Sequence, residues 1–531
     1  MLKWSAITVG GLVLLLATVL AVVPFLLNTA ALQAYVVQTV SHSLGRPVRF
    51  ASLSISGLPL PTIRLRGLQI AEDPAFGPGP FLTVGEGRLG VRLWPLLRGR
   101  VEMTDLTLEE PRVELVADRA GRWNVASLGA PAPTTPAPPP REPARSGLPS
   151  SGSVLLSRIR IVNGAFHYRP PGAATSPYRL EKVNLVVTQA KAGGELRLNG
   201  AALAQPGAVR VTISEATLTP ASSRAVTDAS LRATLQLDAP DIAPLAGPML
   251  APSSATGPLK GELRVSGTPS RLTAVGTITL PRLVLSEAHR RCGEGKRQQL
   301  VIDTVKMPLT YAPGQLDGRP VEASVGRGAI TLELGLTLEP TRVATLKGIT
   351  VKGVELGPVL VDYLCQPYAV TGPLDLTGAA RVAVDDPWRT MNGSGRLRVG
   401  AGRVVGSDML RVIEDTLALA GTVSALLEPG RGNRDTRSVL NFDSITATYT
   451  VTNGVVRTND LLYQAADFRA QAAGTYALAD GRIDMNVTVT QGPNRFKGVL
   501  AGSAGSVRIV PTDVKVHEPR DLRKLLDRLL R

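Results

Sequence analysis

The sequence predicts a mainly β protein: an N-terminal transmembrane helix, then a long curved antiparallel β-sheet or groove of repeated units, with a few short amphipathic helices. Three observations carry that prediction. Apolar and polar side chains alternate over most of the chain after residue 45, which is strand periodicity. Aromatic residues make up only 4% of the 531 residues while Gly and Pro number 53 and 41, a balance suited to many short strands and tight turns. The run Trp4–Leu27 has no charged residue, and a helix rising about 1.5 Å per residue over that length crosses a hydrocarbon core of about 30 Å.

Residues 1–27 therefore read as a short cytoplasmic N-terminus and a membrane span. A cleaved signal peptide is the rival reading, but its apolar region is normally about 7–15 residues and no clear cleavage site follows. Lys3 precedes the span and no Asp, Glu, Lys or Arg returns until Arg46, so the positive-inside rule puts the body across the membrane from the cytoplasm. Residues 28–128 form the first β module. Asn28 suits an N-cap, Leu32, Tyr35, Val36, Val40 and Leu44 follow helical spacing, and Gly45 stops the helix. This helix packs on the first strands or lies at the bilayer interface.

From Gly45 to Trp123, Val48 and Phe50, Leu53 and Ile55, Ile63 and Leu65, and Leu68 and Ile70 sit two apart. The phase slips between Phe50 and Leu53 and again at Arg66–Gly67, which predicts bulges or turns, because a one-residue slip otherwise sends the apolar set to the opposite face. Residues 129–152, rich in Pro, Ala, Ser and Thr, read as an extended linker.

Residues 153–518 read as a repetitive β region. Asn163-Gly164, Asn199-Gly200, Asn453-Gly454 and Asp480-Gly481 are hairpin signals that predict antiparallel neighbours. Ile483, Met485, Val487 and Val489 make the cleanest single strand, and GELRLNG at Gly194 recurs as GELRVSG at Gly261. A longer repeat matches DIAPL at Asp241 to ELGPV at Glu355, and TGPLKGELRVSG at Thr256 to TGPLDLTGAARV at Thr371, predicting duplicated β units. After Ser407, Leu410, Ile413, Leu417 and Ala420 share a helical face, and Glu428–Ser438 reads as a polar loop. Residues 519–531 end the chain with a basic amphipathic helix, its apolar stripe Leu522, Leu525, Leu526, Leu529 and Leu530.

The net charge of +16 is dispersed, and stacking aromatics are scarce, so nucleic acid is not an expected partner. Anionic lipid is the simpler counterpart. Cys292 and Cys365 are the only cysteines, enough for one bridge and too few for a disulfide scaffold. The four histidines His42, His167, His289 and His517 are scattered, and His289 with Cys292 lacks further zinc ligands nearby. Gly393-Ser394-Gly395 and Gly400-Ala401-Gly402 precede strand-like sequence, which fits turns and bulges better than a phosphate loop. No enzyme, cofactor or metal site is expected. An outer-membrane barrel shares the period of two, but would need aromatic girdles that this composition lacks.

Four pieces in order, LGRPVRF (Leu44–Phe50), GLPLPTIRLRGLQIAEDPAFG, WPLLRGRVE (Trp94–Glu102) and PRVELVADRAGRWN (Pro111–Asn124), resemble the N-terminal module of the AsmA family. The resemblance implies a single-span inner-membrane protein of Gram-negative bacteria with its bulk in the periplasm. It implies an AsmA-like C-terminal part at about 240–518 and a role in outer-membrane biogenesis and lipid homeostasis. On that reading phospholipid acyl chains are the ligand, and Val48, Phe50, Leu53, Ile55, Ile63, Leu65, Leu68, Ile70, Ile483, Met485, Val487 and Val489 are the lipid-facing candidates. A non-transporting scaffold that binds envelope proteins in outer-membrane protein assembly and targeting is the alternative.

Overall fold

The computed structural model describes residues 34–515 with interruptions, the longest at 92–102, 129–156, 288–297 and 411–439. Trp4–Leu27, the linker, Glu428–Ser438 and the basic C-terminal helix lie outside them, as do His289, Cys292 and His517. Among the described residues no helix is long and apolar enough to cross a membrane. The described part of 34–44 is helical and ends at Gly45, whose φ of 68° is the left-handed stop its position called for.

The chain divides into two compact units, the first comprising Met1–Pro240 and Glu262–Thr273, the second Asp241–Gly261 and Ala274–Arg531. The first is a β-sheet in near-sequential order. Its strands are β1 (Val48–Arg49), β2 (Ser52–Ser56), β3 (Thr62–Ala71), β4 (Pro80–Val91), β5 (Met103–Glu109), β6 (Arg112–Val116), β7 (Arg158–Arg169), β8 (Tyr178–Gln189), β9 (Leu196–Gln205), β10 (Val209–Thr219) and β11 (Ser230–Ala239). β1 and β2 lie along β3 as one interrupted strand, and β5 and β6 do the same between β4 and β7. Pairing is antiparallel except where β7 runs parallel to β5 and β6. That departure from the expected antiparallel order falls between strands well separated in sequence; a tight hairpin could not make a parallel join.

The two predicted phase slips are real. β1 ends at Arg49 and β2 begins at Ser52, leaving Phe50 between strands, and Gly67 has φ 63° within β3. They belong to a series: Glu110, Asn163, Lys182 and Glu215 all have φ near 50° and mark the same kind of slip in β5/β6, β7, β8 and β10. The Asn184 carboxamide joins two of them, accepting from the Asn163 N–H at 3.2 Å and donating to the Lys182 carbonyl at 2.9 Å. Bulges at neighbouring positions bend and twist successive strands together. Asn163-Gly164 is thus a bulge inside β7, and Asn199-Gly200 lies within β9. Neither is the predicted hairpin turn, because local turn chemistry was overridden by pairing on both sides. Asn453-Gly454 and Asp480-Gly481 do turn the chain.

The chain continues through β12 (Ser254–Thr256), β13 (Leu259–Thr268), β14 (Arg271–Leu280), β15 (Leu283–Glu287), β16 (Gln298–Ile302), β17 (Thr304–Ala312), β18 (Gln315–Val325), β19 (Gly328–Thr337), β20 (Val343–Glu355), β21 (Pro373–Ala383), β22 (Asn392–Val399), β23 (Gly402–Arg403), β24 (Asn441–Phe442), β25 (Ser444–Thr452), β26 (Val455–Ala465), β27 (Phe468–Ala477), β28 (Ile483–Gln491), β29 (Asn494–Gly502) and β30 (Arg508–Lys515). In the second unit an antiparallel sheet runs β14, β17 to β22, then β25 to β30. Small satellites, β12–β15–β16 and β23–β24, accompany it.

The predicted repeat is visible in these satellites. The first copy has helix α1 (Ala243–Leu250) and the second a π-helical segment, Gly357–Tyr363. At the entry to each, the N–H of Ile242 or Leu356 donates to the carbonyl of Gly257 or Gly372, at 2.9 and 3.0 Å. Gly257 and Gly372 have φ of 139° and 113°, and each lies against a neighbouring carbonyl. Leu410, expected on a helix, is helical and packs with the second copy's buried residues; Ile413, Leu417 and Ala420 are outside the described residues.

Candidate functional site

Cross-strand register sorts each sheet into an apolar and a polar face. In the first unit one row of directly paired residues is Ile55–Ile63–Leu89–Leu106–Ile159–Val187–Leu198, and the next is Leu53–Leu65–Gly87–Leu108–Ile161–Leu185–Gly200–Ile213–Leu235. A third, beyond the bulges, is Val48–Ile70–Leu82–Val113–Phe166–Leu180–Ala204–Val209. The opposite face carries Ser54–Arg64–Arg88–Thr107–Arg160. Paired side chains on one face touch one another, so such rows form continuous surface.

The second unit repeats the design. Leu280–Val305–Ala323–Ile330–Val351–Leu376–Leu397–Ala447 runs across eight strands, against Thr279–Lys306–Glu322–Thr331–Thr350–Thr377–Arg396–Thr448 on the other face. Most of this apolar row is only half-buried, including Val351, Leu376 and Leu397.

What covers the apolar faces, among the described residues, lies at strand ends. In the first unit Val48, Ile70 and Phe81 are buried under Leu44 of the N-terminal helix and Val125 and Leu128 around the 3-10 turn Asn124–Ser127. In the second, Val399, Tyr463, Phe468 and Val489 are buried with Leu356, at the entry to the π-helical segment, and with Val370 and Val404, which form an isolated bridge. Burial pushes the Tyr463 hydroxyl pKa up, with the Asp443 charge adding to it. Each fully buried residue of this size contributes about 1.5–3 kcal/mol, enough to hold the caps in place.

A polar cluster locks the first cap. The Arg46 guanidinium, 4% exposed, donates to Glu72 Oε1 at 3.1 Å, to Ser127 Oγ at 2.8 Å and to the Asn124 carbonyl. Asn124, fully buried, donates to Glu72 Oε2 at 2.6 Å and to the Glu114 carbonyl at 2.7 Å, and accepts from the Val116 N–H at 3.1 Å. Arg46 also sits 5.0 Å from the Phe81 ring centre. Sequence periodicity did not single out Arg46, Glu72 or Asn124, because it looks for apolar spacing. The signal available was their place in LGRPVRF, IAEDPAFG and GRWN.

Of the lipid-facing candidates, Val48, Leu53, Ile70, Ile483, Met485 and Val489 are buried, and Phe50, Ile63, Leu65, Leu68 and Val487 half-buried. Ile55 is placed opposite Ile63 by register. Apart from Phe50, which lies between strands, the candidates fall on the apolar faces of the two units: Met485 pairs with Leu500, Val487 with Ala472 and Val489 with Ala470. Leu522, Leu525, Leu526, Leu529 and Leu530 lie outside the described residues. His167 accepts or donates at 2.7 Å with Glu114, and no group of three metal-ligating side chains occurs among the described residues. Gly393–Gly395 is a regular piece of β22 and not the turn or bulge expected: Tyr449 lies over Gly395, where a Cβ would come within 2.5 Å of its hydroxyl.

The fold and this surface define a protein built of antiparallel sheets with one apolar and one polar face, capped at strand ends by short helical segments. Residues 1–219 match the model of the AsmA family. Comparison with curated proteins returned no match, and comparison with solved structures returned none. The match over residues 1–219 supports association with the cell envelope.

Proposed function

We propose that the protein is a non-enzymatic, inner-membrane-anchored periplasmic protein whose apolar sheet faces carry phospholipid acyl chains in outer-membrane biogenesis. The observation that supports this most is the pairing of half-buried residues such as Ile330, Val351, Leu376 and Leu397 into a continuous apolar row. A sheet face of this kind needs a cover, and an acyl chain needs the converse. Moving about 16 methylenes through water costs roughly 13 kcal/mol at about 0.8 kcal/mol each, so a continuous apolar surface removes most of the barrier to transfer.

The apolar, uncharged Trp4–Leu27 run supplies the anchor. Cys365 is disulfide-bonded, and Cys292 is the only other cysteine in the sequence, which supports an oxidising compartment for the body. Native mass spectrometry of the full-length protein released gently from membranes tests the ligand. Bound phospholipid is the expected result; a lipid-free protein with envelope proteins attached would favour the scaffold reading.

A further inference from the structure

The polar face of the second unit carries a hollow that the acyl-chain reading does not use. A cavity of about 650 Å³ opens over β21, β22, β25 and β26, lined by two neighbouring rows of the polar face, Thr377–Arg396–Thr448 and Ala379–Ser394–Thr450–Arg457. Arg396 and Arg457 are exposed, and among the described residues neither is in an ion pair. The hydroxyls of Thr377, Ser394 and Thr450 and the carboxamide of Asn459, which also lines the cavity, have no hydrogen-bond partner among those residues either. Asp460, the nearest acid in sequence, does not line the cavity and is already engaged: it accepts from the Thr448 N–H and hydroxyl at 2.8 Å each and from the Thr458 hydroxyl at 3.2 Å. Two cations and four uncommitted hydrogen-bonding side chains therefore share one hollow with no acidic lining residue among the described ones.

We propose that this cavity binds a small, water-soluble phosphate ester of a sugar or similar polyol, with Arg396 and Arg457 on the phosphate and the hydroxyl and carboxamide side chains on the polyol. The two arginines flank β25, on β22 and β26, one row apart. Two strand spacings of about 4.8 Å and a row offset of about 6.8 Å put their Cα atoms roughly 12 Å apart, so a group held between them meets both guanidinium forks. Such forks match phosphate oxygens in geometry and charge. Hydroxyls and a carboxamide both donate and accept, which is what the hydroxyls of a polyol require. The volume falls in the range of about 300–1,000 Å³ of small-molecule sites and is more than a bare phosphate fills. A lipid headgroup is the poorer occupant, because this face would leave its tails in water. The assignment is independent of what the apolar face carries.

The test uses the full-length protein in phosphatidylcholine nanodiscs, with phosphorus NMR line broadening of glucose 6-phosphate and of glycerol 3-phosphate as the readout. Saturable broadening is expected with at least one ester, and weaker binding with inorganic phosphate. Loss of a charge-assisted hydrogen bond costs about tenfold in affinity, so Arg396→Gln and Arg457→Gln should each weaken ester binding by about that factor. Arg64→Gln, which removes an exposed arginine from the polar face of the first unit, should leave it unchanged. No saturable broadening with either ester would overturn the site, and an equal loss in Arg64→Gln would reduce it to the general attraction of a basic surface. Inorganic phosphate bound as tightly as the esters would remove the polyol, and phospholipid adducts at a photo-crosslinker replacing Thr377 would replace the soluble ligand by a headgroup. Arg396 and Arg457 are surface side chains, and hydrogen exchange of β22 and β26 in each variant verifies that the fold is kept.

Discussion

The guanidinium of Arg46 lies 3.1 Å from the carboxylate of Glu72, with both side chains 5% exposed or less. The pair joins the end of the N-terminal helix to the residue after β3, and Asn124 closes the cluster from the far side of the module. Three of the four family segments therefore meet in one buried network. Removing one partner leaves a buried charge uncompensated, at about 3–5 kcal/mol. Glu72→Leu should accordingly cost most of that, and Arg46→Met with Glu72→Leu should cost less than Glu72→Leu alone. Hydrogen exchange of β1, β3 and β6 in the solubilised full-length protein measures both, and equal losses would contradict the pairing.

Gly257 and Gly372 occupy equivalent places in the two repeats. A Cβ at Gly257 would overlap the Arg282 carbonyl, and one at Gly372 would meet those of Ala401 and Gly400 at about 3.0 Å, each at a φ that side chains avoid. Gly257→Ala should loosen β12 and β15, and Gly372→Ala should loosen β23, each by about 1–3 kcal/mol. Limited proteolysis should show cleavage confined to the repeat that was altered; loosening of both by either change would argue against two independent copies.

Asp460 holds a bulge between β25 and β26 by accepting from the Thr448 N–H at 2.8 Å and from its hydroxyl at 2.8 Å. These bonds, the backbone one first, keep its pKa below the ordinary 3.8. A depressed folded pKa means the contribution is present above the unfolded value and lost as pH falls through the lower, folded one. Protection of the Thr448 amide, corrected for intrinsic exchange, should hold from neutrality to about pH 4 and fall below it. Asp460→Asn should remove that pH dependence, and an unchanged profile would contradict the assignment.

Cys365 should resist alkylation in intact cells until a reductant is added. Ready labelling without reductant would contradict the bridge and weaken the case for a periplasmic body.

Much of the architecture was legible because a half-exposed sheet writes its period into the sequence. Ile63, Leu65, Leu68 and Ile70 gave both the strand and its slip, since Gly67 changes the phase where it changes φ. The repeat was legible because Gly257 and Gly372 are required by close backbone approach. Lys182 and Glu215 were not legible as bulges, because their left-handed conformation is imposed by pairing on both sides and contradicts their own preference. Asn163-Gly164 misled for a different reason: the left-handed conformation that Asn favours serves a bulge inside β7 and not a turn. The polar cluster of Arg46, Glu72 and Asn124 joins residues distant in sequence, which no local pattern reports.

The central claim is that one face of each sheet takes acyl chains and the other does not. Photo-crosslinkers placed one at a time in the full-length protein at Leu65 and Leu376, and at their neighbours Arg64 and Thr377 on the opposite face, test it most directly. The account predicts phospholipid adducts at Leu65 and Leu376 and none at Arg64 and Thr377. Equal labelling of the two faces, or none at either leucine, would contradict it.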